Sequence, residues 1–538
     1  MNIPLTPIRF LRYASQQYPA KTAMICGDER FTYAQFADRA ARLGGALQTL
    51  GVQPGDRVAY LSGNCHRLLE AYYGVLEGGA VLLPLNIRLA PMELAYILND
   101  SEASIVLFEE QFLPLVDLFR KDLKSVRSFV MLDAKPGNQP WIARQNYEEL
   151  LAKATPHQAD VMQIDENSLA ELFYTSGTSA NPKGVMLTHR NIYLHALNVG
   201  LTFATGADSI ELHTIPLFHA NGWGVAHSLT FVGGTHVMIR KFDPPEVFRL
   251  IQQERAQACS LVPTMATALV NCPDRTKYDL SSLTRITLGG AAASPTLVRE
   301  VEEKMGCPCF SGYGLTETSP VLTTAQMKKG VVWENAQRYE GQASTGYAIP
   351  GVEIRVVDPA GNDLPRDGQS IGEIIARSDG VMDGYWKQPE ATAQVMRGGW
   401  FHTGDMATMD ANGYVLIVDR KKDIIVSGGE NISSLEVEKA ILAHPAVYEV
   451  AVIPVPDPRW GEIPKALVTL KPGATATGDE LLEFCRGRLA HYKCPRSVEF
   501  VDALPKTGTG KVLKKELRKK YWSDTESIRP EMATKNSN

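Results

Sequence analysis

At 538 residues the chain exceeds what one hydrophobic core usually serves, so two or more domains with a large buried interior are expected. Hydrophobic content of 44%, charged content of 21%, and glycines and prolines scattered rather than clustered are those of an ordinary globular protein, which excludes bulk disorder. A formal net charge of −5 supplies no global attraction to nucleic acid or to an anionic membrane, so partners must be argued from sites.

In chain order, the opening segment MNIPLTPIRFLRYASQQYP lacks a sustained apolar core, and no run of about 18 uninterrupted apolar residues follows. Neither export nor integral membrane association is expected, and the predicted location is cytoplasmic. The eight cysteines are dispersed. Their nearest pair, Cys307 and Cys309, has neither zinc-ribbon nor thioredoxin spacing, so buried reduced thiols are expected.

Residues 57–61, the amphipathic stretch 66–77, Gly78-Gly79 and residues 80–85 read as strand, helix, turn and strand, a βαβ unit. The pattern returns with strand 236–240, helix 245–257, strands 260–262 and 285–288, and a helix from Ser294-Pro295 to Met305. Such alternation predicts an α/β fold: a large multi-sheet N-terminal domain with parallel-rich sheets and helices on both faces.

The texture changes at the charged run Asp419-Arg420-Lys421-Lys422-Asp423. This predicts an N-terminal domain over 1–418, a hinge at 419–424, a small mobile α+β domain over 425–522 and a disordered polar tail over 523–538. In the small domain, Ser433 with Glu436 forms a capping box opening a helix to about residue 443. Strands follow at 449–453 and 466–470, then a helix at 479–489 and a last helix at 511–522. The terminal KNSN matches no peroxisomal or retention signal.

Chemistry concentrates in Tyr174-Thr-Ser-Gly-Thr-Ser-Ala-Asn-Pro-Lys-Gly184, which follows an apolar strand-like run. Thr175, Ser176, Gly177, Thr178 and Ser179 supply hydroxyl and backbone donors able to wrap polyphosphate oxygens, and Lys183 adds a point charge. It is not a Walker A loop, because no Gly-Lys-Ser/Thr follows.

This segment resembles the signature of the adenylate-forming superfamily of acyl-CoA synthetases, luciferases and peptide-synthetase adenylation domains. The resemblance continues in order over roughly residues 30–520. Gly289-Gly290-Ala291-Ala292 resembles the adenine-edge segment, which assigns ATP contacts to Gly290 and Ala291. Gly312-Tyr-Gly-Leu-Thr-Glu317 implies an adenine-stacking Tyr313, a phosphate-contacting Thr316 and an Mg²⁺-holding Glu317, roles that suit a flat ring and a hard oxygen ligand. Thr403-Gly404-Asp405 implies a ribose ligand in Asp405. Arg420 matches a ribose or phosphate contact, Lys422 the hinge pivot and Gly428 the pantetheine tunnel. In Pro505-Lys-Thr-Gly-Thr-Gly-Lys511, Lys511 matches the mobile lysine that serves adenylation, where a cation stabilises charge developing at phosphorus. One departure stands out: Ser179-Ala180 replaces the usual Thr-Gly, and alanine restricts a glycine-like backbone, so altered nucleotide affinity is expected.

Pro216-Leu-Phe-His219-Ala-Asn-Gly-Trp223 resembles the acyl-pocket segment of fatty-acyl members, with His219 near the carboxylate and Trp223 gating a lipid tunnel beside Gly222. These segments carry no acidic or basic partner for a charged substrate tail, which favours an aliphatic or simple aryl acid. The resemblance therefore implies a carboxylate–CoA ligase for a medium- or long-chain fatty acid, taking ATP, Mg²⁺ and coenzyme A, with no nucleic-acid partner; a homodimer is admitted. The alternatives are an aryl-acid CoA ligase and an acyl-AMP-forming enzyme with another acceptor. A non-catalytic nucleotide-binding protein is disfavoured by the joint presence of Lys511, Glu317 and Asp405.

Overall fold

Along strand Arg57–Leu61 the side chains alternate between two cores: Val58 and Tyr60 enter one, Ala59 and Leu61 another. The neighbouring strand Ala103–Phe108 divides likewise, Ile105 and Leu107 against Val106 and Phe108. Both faces are buried, which is why these strands read as continuous apolar runs rather than alternating ones. The computed structural model describes residues 2–133, 145–175, 181–421, 423–427, 430–506 and 512–521.

Among the described residues two large sheets build the first of two compact units, which holds residues 1–354, 375–402 and 412–414. The first sheet has eight strands. Its centre is parallel, with Arg57–Leu61 between Val81–Pro84 and Ala103–Phe108. Leu169–Thr175 adds to Val81–Pro84 in parallel, and the edge turns antiparallel through Lys183–Thr188 and Gly384–Tyr385. The second sheet has nine strands, with Thr235–Met238, Ile210–His213, Ala258–Leu261, Arg285–Leu288 and Cys309–Gly314 parallel in its middle. One core serves both sheets: Met24, Cys26 and Met238 join Val58, Tyr60 and Leu82 in it, while Ile25 and Val237 face the opposite core.

The predicted βαβ unit folds as read, with helix His66–Glu77 between its two strands. Ser294 caps helix Pro295–Met305 by accepting from Leu297 N at 3.1 Å. All eight cysteines are unpaired thiols, and only Cys272 is partly exposed. No helix among the described residues is long and apolar enough to cross a membrane.

The second unit comprises residues 355–374, 403–411 and 415–538. Its main sheet pairs Val447–Asp457 with Gly461–Leu470 antiparallel, and Ser497–Phe500 joins the latter in parallel. Ser433 caps helix Ser434–Leu442 through Glu436 N at 3.0 Å. The Glu436 carboxylate, expected to close a capping box, instead takes Lys493 Nζ at 2.8 Å on each oxygen, because a charged partner outbids a backbone amide. The last helix is shorter than predicted, Lys514–Lys519, because Val512 bridges to Lys506 in extended conformation and Leu513 stays non-helical. Residue 511, where that helix was expected to begin, and the tail lie outside the described residues.

Candidate functional site

The antiparallel edge of the eight-stranded sheet positions the first cluster. Thr175 faces Lys183 in register, so the segment predicted to wrap phosphate joins two paired strands. Ser176, Gly177, Thr178 and Ser179, with Ala180, lie outside the described residues. Lys183 stands with its ammonium 4.8 Å from the ring centroid of Tyr385, a cation–π arrangement. The Tyr385 hydroxyl donates to Glu317 Oε1 at 2.9 Å. Two backbone anchors hold these parts: Tyr385 pairs with Val185 across the strands, and Met382 N donates to the Glu317 carbonyl at 2.8 Å. Burial, then the Glu317 charge, pushes the Tyr385 phenol well above its ordinary value, so it stays a donor.

Sequence reasoning does not single out Tyr385, which lies 68 residues from Glu317. The only local signal is an aromatic residue after Asp383-Gly384.

Glu317 sits in the short turn Thr316–Thr318 that follows strand Cys309–Gly314. Tyr313 is half-buried on that strand, opposite Thr323, and Thr316 is buried. A Cβ at Gly314 would fall 1.7 Å from the Pro320 carbonyl oxygen, so only glycine lets the chain double back beside Tyr313.

A second cluster gathers around Trp223. Ala220, Asn221, Gly222, Trp223 and Gly224 all have positive φ, at 44°, 44°, 62°, 61° and 83°. For the three non-glycine residues this conformation costs roughly 1–2 kcal/mol each, a cost the surroundings must offset. The turn delivers the half-buried Trp223 ring against a glycine pair: a Cβ on Gly289 would lie 2.9 Å from its Cη2 and Cζ3, and one on Gly290 3.5 Å from its Cζ2. Trp223, predicted to line the acyl pocket, and the predicted adenine-edge segment are thus in contact; Ala291, next along, is exposed. His219 stands half-buried at the entrance to the turn, its carbonyl accepting from Gly222 N at 3.2 Å.

In the second unit Asp405 and Arg420 are cross-strand partners between Trp400–Met409 and Val415–Arg420, which explains their 15-residue spacing. Asp405 is 3% exposed, and its carboxylate lies 3.1 Å from Arg420 Nε. Lys422, Gly428 and Lys511 lie outside the described residues. Past them, Lys514 is nearly buried, with Nζ 2.7 Å from Glu438. Asp419 accepts from Ser434 N, and Arg518 pairs with Asp423 at 2.8 Å.

Among the described residues no group of three or more His, Cys, Asp and Glu could hold a metal. A single carboxylate such as Glu317 fits Mg²⁺, which usually takes one or two carboxylates and completes its shell with phosphate oxygens and water.

The profile described as "AMP-binding enzyme" matches residues 11–386, and that of the "AMP-binding enzyme C-terminal domain" matches 436–511. The 4-hydroxybutyrate–CoA ligase 2 of Metallosphaera sedula is 36% identical over 523 residues, covering 96% of this chain and 94% of that protein. The long-chain-fatty-acid–CoA ligase of Thermus thermophilus is 39% identical, covering 91% and 90%. Feruloyl-CoA synthase of Amycolatopsis is 38% identical, covering 96% and 98%. Among solved structures, ATP-bound MatB from Rhodopseudomonas palustris superposes with a TM-score of 0.84 at 31% identity, covering 96% of this chain and 99% of that one.

Proposed function

The chain belongs to the AMP-binding enzyme family and is an AMP-forming acyl-CoA synthetase, and from that premise we propose that its acid is a medium- or long-chain fatty acid, activated in the cytoplasm. ATP, coenzyme A and a small-molecule acid are the substrates of such an enzyme. The observation that carries the fatty-acid reading is the Trp223 ring against Gly289-Gly290, an apolar wall with no charged side chain in its own segment to receive a polar substrate tail. An aryl acid is the second reading. A flat indole on a flat glycine backbone also suits a flat acid, and the feruloyl-CoA synthase relative is about as similar as the long-chain ligase.

In the proposed course, Thr175 to Ser179 and Lys183 hold the triphosphate, Tyr313 stacks on adenine beside Gly290 and Ala291, and Asp405 with Arg420 receives the ribose. Thr316 contacts phosphate, and His219 stands by the acid's carboxylate. Mg²⁺, held by Glu317, would neutralise phosphate charge when bound. Lys511 stabilises the charge that develops as the carboxylate attacks the α-phosphate and pyrophosphate leaves. A change of conformation about Lys422, within the hinge 419–424, then lets Gly428 serve thioester formation, in which the CoA thiol displaces AMP from the mixed anhydride. Tyr385 joins this machinery as the donor that orients Glu317 and the ring that seats Lys183.

Pyrophosphate release measured across saturated and aryl acids with CoA present tests the reading; turnover confined to aryl acids would favour the second. Trp223→Ala is expected to change relative rates along the saturated series by about tenfold while leaving the KM for ATP nearly unchanged, since each methylene contact is worth about that much. An unchanged series with a lowered melting temperature would make Trp223 structural. Glu317→Gln is expected to raise the Mg²⁺ concentration needed for half-maximal adenylation, because the amide keeps the shape but loses the charge that hard Mg²⁺ prefers. An unaltered Mg²⁺ titration would move the metal elsewhere.

A further inference from the structure

Glu171 is a fully buried carboxylate in strand Leu169–Thr175, flanked by the buried Ala170 and Leu172, four residues before Thr175, and the proposed mechanism gives it no work. Among the described residues it has two side-chain partners. Oε2 accepts from Asn221 Nδ2 at 3.2 Å, and Oε1 lies 2.6 Å from His227 Nε2. Asn221 is 1% exposed and is the second residue of the left-handed run; its Oδ1 accepts from Gly224 N at 2.7 Å, closing the turn across Trp223. His227, also fully buried, stands on helix Val225–Val232 immediately after the turn, edge-on to Tyr72 and Tyr73. Glu171 therefore grips both sides of Trp223: the residue two before it and the residue four after it. The strand that leads to the phosphate loop is thereby tied to the turn that sets the indole.

We propose that Glu171, acting through Asn221 and His227, is a positioning residue for acid selection: it holds the left-handed turn that keeps Trp223 against Gly289-Gly290, and so sets the depth open to the acyl group. A buried carboxylate with two hydrogen-bond partners has few orientations, and a turn of conformationally costly residues has one shape only while its clamp lasts. Released, the turn relaxes and the indole leaves the glycine pair. Glu171 touches no substrate in this account, so its loss acts on which acid is used rather than on how phosphate is held. The inference rests on Trp223 lining the acid site.

The test compares kcat/KM for pyrophosphate release along a series of saturated acids, and the KM for ATP, in the full-length enzyme and in Glu171→Gln, Glu171→Leu and Asn221→Gly. Glu171→Leu is expected to change the ratio of long- to short-acid kcat/KM by about tenfold or more, with the KM for ATP within about twofold of wild type, and Glu171→Gln to restore the wild-type profile. Asn221→Gly, whose backbone accepts the left-handed conformation, keeps the assay informative if Glu171→Leu does not fold; it is expected to shift the profile in the same way. A wild-type profile in folded Asn221→Gly, or a loss shared equally by every acid and by ATP, overturns the inference. Wild-type enzyme that turns over no saturated acid would instead sink the fatty-acid reading, and the same variants compared on aryl acids would still test the clamp.

Discussion

Lys511→Ala is expected to lose acyl-adenylate formation by on the order of 10²–10³-fold, the usual cost of removing one preorganised group that stabilises developing charge, while CoA still converts supplied acyl-AMP to thioester. The asymmetry follows from the proposed division of labour: the lysine serves the step at phosphorus and is not needed once the mixed anhydride exists. Lys506 and Val512, bridged antiparallel, bracket the segment that carries it. Pyrophosphate release measures the first half-reaction, and AMP release from synthetic acyl-AMP with CoA measures the second. Equal losses in both would remove the assigned role.

Lys514→Met is expected to destabilise the second unit by about 3–5 kcal/mol, because it leaves buried acids without their cation. The Lys514 and Glu438 side chains are 13% and 15% exposed, and Asp419 is 1% exposed. Burial opposes the Lys514 charge, yet Glu438 and Asp419 outweigh it and raise its pKa above the ordinary 10.5. Its stabilisation is thus fully present below about 10.5 and lost as pH rises through the higher folded value. Burial already raises the Asp419 and Glu438 carboxyls. Without the ammonium they rise further, so the variant's deficit should shrink on acidification, when both acids bind protons and the charge problem disappears. Urea unfolding of wild type, Lys514→Met and Lys514→Arg at several pH values checks this; a deficit independent of pH would mean lost packing rather than an uncompensated charge. Since helix Lys514–Lys519 begins three residues after Lys511, proposed to serve adenylation, adenylation should weaken in the same variant and recover in Lys514→Arg.

Much of this molecule is legible without coordinates, wherever the physics is local. Helix His66–Glu77 shows itself by period and by the Gly78-Gly79 stop, and Ser294-Pro295 opens a helix because a hydroxyl cap and a proline each act within one turn. The segments at 174–184 and 312–317 draw the proposed phosphate and Mg²⁺ roles because hydroxyl, glycine and carboxylate chemistry is packed into a few consecutive residues. Asp405 and Arg420 are proposed as ribose contacts by resemblance alone, and a hairpin register makes them neighbours.

What only the tertiary structure decided are the residues whose partners are far along the chain. Tyr385 acquires meaning from Glu317 and Lys183, and nothing in its own segment points to either. Glu171 is passed over in sequence as part of an apolar run, and it gains a role only when Asn221, 50 residues on, is seen bonded to it. The left-handed run at Ala220–Gly224 is invisible in sequence, since alanine, asparagine and tryptophan do not announce positive φ as glycine does. Sequence by itself determines periodicity, caps and compact motifs, because those depend on neighbours within a few residues. The orientation of a buried carboxylate, the seat of an indole and the strain a turn can hold depend on low-dielectric contacts between distant segments, and these exist only once the sheets have packed.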